Sequence, residues 1–210
     1  MLRGRFVTFE GIEGSGKSTQ VARLATDLGA RGVPVRRTHE PGEGLDRELR
    51  TFVLERARLR PMSEAFFMVM DRHEHVERVI RPALEQGQLV LCDRFADSTL
   101  AYQGGGSGLD LADLATLNRL ATGGLVPDLT FLFDLPVEIA LARVRERAPG
   151  KKLDRFEAEA LAFHERVRAT YLALAAAEPA RFRIVDAARA ADPVFADIAR
   201  TVDALLATSA

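Results

Sequence analysis

Cysteine is almost missing from this 210-residue chain, Cys92 standing alone. An intrachain disulfide and a multi-cysteine metal cluster are both excluded by that scarcity. Histidine is scarce too, and of the four only His73 and His75 are close in sequence. At i, i+2 on a helix their rings point apart, so a shared metal is not expected. An excess of either charge is also lacking: 29 Lys and Arg against 30 Asp and Glu leave a net charge of -1. Such a balance offers no general surface for nucleic acid or membrane. Long apolar runs are absent as well. The run after Arg3 and Arg5 stops within a few residues at Glu10 and Gly11, too short for a secretory signal, and no other run could span a bilayer. The chain therefore reads as cytoplasmic, with no nucleic acid and no membrane among its partners. Its length suits a single α/β domain over residues 1–210 with a sizeable core.

What is present centres on one motif. Gly11-Ile12-Glu13-Gly14-Ser15-Gly16-Lys17-Ser18 fits G-x-x-x-x-G-K-[ST] without mismatch. The apolar run from Arg5 to Glu10 before it is of strand type, and Thr19 to Arg31 after it reads as a helix. Strand, glycine-rich turn and helix N-terminus form the setting in which this motif cradles phosphate. Backbone N–H groups and the positive end of the helix dipole converge there on one anion. Lys17 adds a charge on the β/γ-phosphates and the Ser18 hydroxyl is a candidate Mg²⁺ ligand. ATP binding is thus expected along Gly11 to Ser18 and the adjoining Thr19.

Further strand-like runs recur between helical patterns. Val33 to Thr38, Leu89 to Asp93, Leu129 to Asp134 and Arg181 to Asp186 join the first to make five. Helices are expected over residues 44–55, 62–86, 137–147, 156–177 and 193–206. A glycine cluster from Gly104 to Gly108 closes a short helix and precedes another, with Asp110 as its N-cap. Continuous apolar strands alternating with helices predict an α/β fold of the P-loop NTPase kind, three layers α/β/α around a five-stranded parallel sheet.

Ligands of such sheets sit beyond the carboxyl ends of the strands. That rule points to Gly11–Ser18, to His39 to Gly42, to Asp93-Arg94 and to the segment after Asp134. Asp93 closes an apolar run in the Walker B manner and is a candidate for holding Mg²⁺ directly or through water. Arg94 suits bidentate capture of a second phosphate. Arg143, Arg145 and Arg147, followed by Ala148-Pro149-Gly150-Lys151-Lys152, end a helix in a mobile, basic lid spanning about 143–155. Phosphoryl transfer needs such cations over the transferring phosphate, and a lid excludes water.

Taken in order along the chain, these marks resemble the thymidylate kinases of bacteria over nearly the whole length. They are the phosphate loop, Glu40-Pro41-Gly42, Arg50, Asp71-Arg72, Asp93-Arg94-Phe95 with Ser98, Ala101-Tyr102-Gln103-Gly104, and Asp154-Arg155-Phe156-Glu157. The resemblance implies γ-phosphoryl transfer from ATP to dTMP, giving dTDP, with Mg²⁺ and in a homodimer packed through helices such as 62–86 and the one after Asp110. It places Arg94 on the dTMP phosphate with Arg50 assisting, Arg72 at the thymine edge, and Tyr102 under the sugar, where it would reject a 2′-hydroxyl. Ser98, Thr99 and Gln103 would line base and sugar, with Glu40 and Pro41 beside them. Glu13 would face the acceptor's sugar hydroxyl and the metal region. The catalytic arginine comes from loop or lid in this family; with Gly14 in the loop, the lid arginines Arg143, Arg145 and Arg147 are the candidates, alongside Lys17, Glu13 and Arg94.

Spacing supports part of this independently. Arg94, Ser98 and Tyr102 recur every four residues, so one helical face can present all three. The chain departs from the family at Met68, where phenylalanine usually stacks on thymine, and at Glu43, where glycine is common. The rival readings are a kinase for another nucleotide or nucleoside and a P-loop GTPase switch. The switch needs an N/T-K-x-D motif, for which Lys151-Lys152-Leu153-Asp154 is a poor match.

Overall fold

A computed structural model describes residues 4–44, 51, 59–147 and 160–208. Arg50, most of the helix expected over 44–55, the basic stretch 148–159 and the side chain of Arg147 lie outside the described residues.

Five strands form one sheet: β1 (Arg5–Glu10), β2 (Val35–His39), β3 (Leu89–Asp93), β4 (Leu129–Asp134) and β5 (Phe182–Asp186). Their order is β2-β3-β1-β4-β5, every pairing is parallel, and β1 sits at the centre. The register pairs Phe9 with Asp93 and with Phe131, so β1 and β3 end within one residue of each other and β4 runs on past them to Asp134. From β1 the chain runs to one side of the sheet, and from β3 it crosses to the other. The crevice between those two carboxyl ends is the switch point where ligands of open α/β sheets bind.

The three central strands are apolar because helices cover both faces. One core cluster holds Phe9, Phe131 and Phe133, with Phe9 and Phe131 stacked at 5.4 Å. A second cluster holds Phe6, Ile80, Val90 and Phe95. Each such buried ring contributes about 1.5–3 kcal/mol by leaving water.

Helix α1 (Lys17–Ala30) packs on the sheet through Val21, Leu24 and Leu28, spaced three and four apart. Its N-cap is Gly16, at φ 89, and no side chain caps it. The first-turn N–H groups are thereby kept for a ligand.

The helix expected over 62–86 proves to be three pieces in succession. These are α2 (Pro61–His75), a π-helical turn Val76–Ile80, and α3 (Arg81–Glu85). Pro82 explains the interruption, because it lacks the N–H that would bond the preceding turn, and the wider π turn absorbs the loss. The glycine cluster closes a short helix as expected. Helix α4 (Ala96–Thr99) continues as a π-helix over Leu100–Gly106 and is capped at Ser107. A neighbour adds a second reason for glycine: a Cβ at Gly105 would collide with Thr170 of helix α7 (Leu161–Ala177).

Helix α5 (Leu111–Thr122) starts as predicted, Asp110 accepting from Ala112 N at 2.8 Å and Asp113 N at 3.0 Å. Helix α6 (Val137–Arg147) starts where predicted, and α8 (Ala191–Ala207) completes the layers.

Candidate active site

The phosphate loop leaves β1 and turns back over the sheet edge. Gly14, at φ +75, meets helix α6, where an added Cβ would strike the Ala140 carbonyl. No side chain fits there, so this loop position cannot supply a cation. Lys17 Nζ donates to Gly11 O at 2.8 Å, Ile12 O at 2.9 Å and Ser15 Oγ at 3.3 Å. Burial, then repulsion from Arg94, lowers its pKa to about 8. A buried ammonium of this kind gains strongly from an arriving phosphate.

Ser18 Oγ donates to Asp93 Oδ2 at 2.5 Å, joining the loop to the end of β3. Two hard oxygen donors side by side suit Mg²⁺, which favours one or two protein oxygens plus phosphate and water. Among the described residues no cluster of three His, Cys, Asp or Glu could cage a metal alone.

Arg94 is the one non-glycine described residue with positive φ, at 70. Such strain persists only where surroundings over-determine it. Here Arg94 N donates to Phe9 O at 3.0 Å, Cys92 Sγ–H donates to Arg94 O at 3.0 Å, and Phe95 N donates to Glu10 Oε1 at 2.7 Å. The side chain is thereby aimed back over the loop. Its Nη2 donates to Glu13 Oε1 at 2.7 Å and Tyr102 Oη at 3.2 Å, and Nη1 reaches Ser98 Oγ at 3.4 Å. The four-residue spacing of Arg94, Ser98 and Tyr102 thus does converge, across the α-to-π junction. Tyr102 Oη in turn donates to Glu13 Oε2 at 2.6 Å. Burial would raise the Glu13 pKa, but Arg94, Lys17 and the Tyr102 bond outweigh it and hold the carboxyl below its ordinary value.

Arg72 is 2% exposed. Nε and Nη2 engage Glu40 Oε2 at 2.9 and 2.8 Å, Nη1 bonds Thr99 and Asn118, and Nη2 bonds Phe95 O. Glu40, before the cis Glu40–Pro41 bond, also meets His75 Nδ1 at 3.0 Å, and His75 Nε2 meets Thr38 Oγ1 at 2.6 Å. Gln103 Nε2 donates to Glu64 Oε1 at 2.7 Å. Met68 is buried, Phe67 is buried beside it, and Phe66 is exposed. Glu43 meets His39 Nδ1 at 3.2 Å.

Two cavities flank the loop. One of about 500 Å³ is lined by Glu13, Lys17, Ser18, Arg37, Glu40, Asp93 and Arg94 among others. The second, about 390 Å³, is lined by Gln20, Phe133, Ala187, Ala188, Arg189 and Val194 among others. Gly16, Thr19 and Arg143 line both. Arg143 Nη1 donates to Ala187 O at 3.0 Å, while Arg145, on the same helix, is exposed.

The Thymidylate kinase family model matches residues 9–198. The chain belongs to the thymidylate kinase family. It is 51% identical over 208 residues to the thymidylate kinase of Desulfovibrio desulfuricans, with 96% of each chain covered. It is 53% identical over 196 residues to that of Solidesulfovibrio magneticus, covering 90% of this chain and 94% of the relative. The crystal structure of thymidylate kinase from Ehrlichia chaffeensis superposes with a TM-score of 0.77 at 32% identity, covering 95% and 99% of the two chains. The protein is accordingly a kinase, and its architecture is the P-loop NTPase fold.

Sequence reasoning missed several groups of this kinase that hold the site. Glu10, the last residue of β1, is wholly buried and bonds Phe95 N, Ser98 and Tyr171. Asn118 and His75 anchor Arg72 and Glu40 from α5 and α2. The one available signal was Glu10 itself, a carboxyl closing an apolar strand. The segment after Asp134, selected by strand position, brings Arg143 to both cavities, while Asp134 itself pairs with Arg168 at 2.6 and 3.0 Å.

Proposed function

We propose that the chain transfers the γ-phosphoryl group of ATP to dTMP, giving dTDP and ADP on the way to dTTP. The observation that carries this is Arg94, strained into the left-handed region and turned over the phosphate loop. ATP lays its phosphates on the N–H groups of Gly11 to Ser18 and its base in the cavity toward Ala187 to Ala191. Lys17 exchanges loop carbonyls for phosphate oxygens. The dTMP phosphate enters between Arg94 and the loop, taking Arg94 from Glu13, and Arg50 assists. Glu13 and Tyr102 remain paired beneath the sugar, Glu13 accepting from its hydroxyl. Ser98, Thr99, Gln103, Met68, Glu40 and Pro41 shape the rest of the acceptor pocket. A thymine edge reaches Arg72 by taking over one of its present acceptors.

Acceptor and donor phosphates meet where the two cavities share Arg143. That position favours Arg143 over the exposed Arg145 as the cation that neutralises the charge developing in transfer. With Arg147 it opens the 143–155 lid, and the chain acts as one domain. Bound Mg²⁺ would be held by Ser18 and Asp93 and would supply positive charge to offset that of the phosphates. Half-exposed Phe66 and Met70, one turn apart on α2, support a homodimer through that face. No helix of the described residues is long and apolar enough to cross a membrane, in keeping with a cytoplasmic enzyme.

A panel of acceptors with Mg-ATP and coupled detection of ADP tests the reading. dTMP should turn over far faster than dCMP, dGMP or AMP. Equal rates across the panel would remove dTMP as the substrate and leave a broader nucleotide kinase.

A further inference from the structure

Glu10, Ser98 and Tyr171 place three oxygens in a closed triangle. Glu10 Oε2 lies 2.6 Å from Ser98 Oγ and 2.8 Å from Tyr171 Oη, and the two hydroxyls lie 2.8 Å apart. All three edges have hydrogen-bond length, and each such bond requires one proton. A serine and a tyrosine hydroxyl bring one proton apiece; an ionised carboxylate brings none. Two protons cannot fill three edges. With Glu10 ionised, one pair of buried oxygens would face each other at bonding distance through lone pairs alone. A proton on Oε2 closes the ring: the carboxyl donates to Tyr171, Tyr171 to Ser98, and Ser98 to the carboxyl. The groups bordering the triangle cannot replace that proton. Arg94 Nη1 donates to Ser98 Oγ and Phe95 N donates to Glu10 Oε1, so both act from outside the triangle and neither puts a proton on one of its edges.

We propose that Glu10 is a proton-carrying positioning residue: its ring with Ser98 and Tyr171 holds a third proton, and binding of the acceptor phosphate at Arg94 strengthens that protonation. The first half rests on the triangle. The second rests on Arg94 as the acceptor-phosphate ligand.

The surrounding charges act in both senses, and burial decides between them. Arg94 faces Glu10 from the turn after β3 and favours its ionised form. Asp97 of α4 opposes this, though it is itself paired with Arg181, which precedes β5, at 2.7 and 3.0 Å. Tyr171 faces it from α7, the buried Cys92 thiol from β3 and Lys17 from α1. Burial, followed by Asp97, prevails, and the Glu10 carboxyl is pushed up to about 7. An anionic phosphate on Arg94 offsets the guanidinium's field at Glu10. Phosphate binding and proton binding then assist each other by linkage. The protonated ring also keeps Ser98 and the Phe95 N–H in place, and with them the left-handed backbone of Arg94.

The test follows the glutamate carboxyl carbons of the ¹³C-labelled full-length protein by NMR from pH 5 to 9, with and without dTMP. The Glu10 signal is identified by its loss in Glu10→Gln. Calorimetric dTMP titrations of both proteins, in two buffers of different ionisation enthalpy, count the protons taken up. Should the variant not fold, the C=O stretch of a protonated carboxyl in infrared difference spectra of the wild-type protein reports the same titration. Expected are a Glu10 midpoint near neutrality, an upward shift with dTMP, and a proton uptake that Glu10→Gln loses. A Glu10 that is ionised across the whole range overturns the proposal. A midpoint that dTMP leaves unmoved, while Arg94→Ala raises the KM for dTMP, overturns the coupling and leaves Arg94 in its role. An unmoved midpoint with an unchanged KM overturns the assignment of Arg94 and the coupling built on it.

Discussion

The two sides of the phosphate loop use different chemistry. Toward β3 the site is a network of buried and partly buried polar side chains: Glu13, Arg94 and Tyr102 paired with one another, Glu10 holding the Phe95 N–H, and, behind them, Arg72 with Glu40. Toward β5 the wall is made of Ala187, Ala188, Ala190, Ala191 and Val194, with Gln20 and Arg189 as its polar members away from the loop. Even there Gln20 faces backbone, donating to Ala191 O at 2.9 Å. Under the proposed function the contrast follows from what each side recognises. An acceptor phosphate brings charge into a buried pocket, so preformed ion pairs are needed to exchange for it. A flat base needs shape and backbone contact, which small side chains leave open. Substitutions should therefore cost much on the first side and little on the second.

Arg94→Ala gives the largest effect. Loss of a buried charged contact to the acceptor should lower kcat/KM for dTMP by about 2–4 kcal/mol of transition-state stabilisation, read by steady-state kinetics. An unchanged kcat/KM would place the acceptor elsewhere and dissolve the contrast.

Glu10→Gln sharpens it through stability. The Glu10 pKa is raised from 4.5 to about 7, so the folded state holds the proton more tightly than the unfolded chain. That contribution is fully present below 4.5 and is lost as pH rises through 7. Glutamine has no such dependence. Relative to wild type the variant should gain stability between pH 5 and pH 8, approaching about 3 kcal/mol. Denaturant unfolding across pH measures this, and parallel curves for the two proteins would contradict it.

Asp93→Asn keeps the Ser18 bond geometry and removes the charge. The Mg²⁺ concentration for half-maximal rate should rise about 10- to 100-fold, with the dTMP KM little changed.

Arg189→Ala is the smallest. Its partner Asp197 is 2.8 Å away, but both side chains are more than 40% exposed, and such pairs contribute about 0–1 kcal/mol. The melting temperature and the KM for ATP should both stay close to wild type. A large rise in that KM would show that the donor side also relies on charge.

Most of the fold was legible from local pattern. The five strands, Asp110 as a cap and the start of α6 follow from short apolar runs, a capping residue and 3.6-residue periodicity. What the reading did not show were the two π turns. The one before Pro82 follows from the missing proline N–H, and the glycines within Leu100–Gly106 admit α7, which packs against them. In the site, motif residues such as Lys17, Ser18, Asp93 and Arg94 were visible because phosphate chemistry constrains their spacing. Glu10, Asn118 and His75 were not, because they act on other side chains from distant elements and no spacing rule links them.

The sequence alone determined that a nucleoside triphosphate is bound, since strand, glycine loop, lysine and helix are contiguous and local geometry suffices to build the cradle. It also determined that Gly14 cannot be the source of catalytic charge. Only the tertiary structure decided why: α6 lies against that turn and leaves no room for a Cβ. It likewise decided which arginine is locked in place and which is exposed, and which carboxyl is wholly buried. Those outcomes depend on desolvation and on partners drawn from strands and helices up to 161 residues apart in the chain, which no local pattern records.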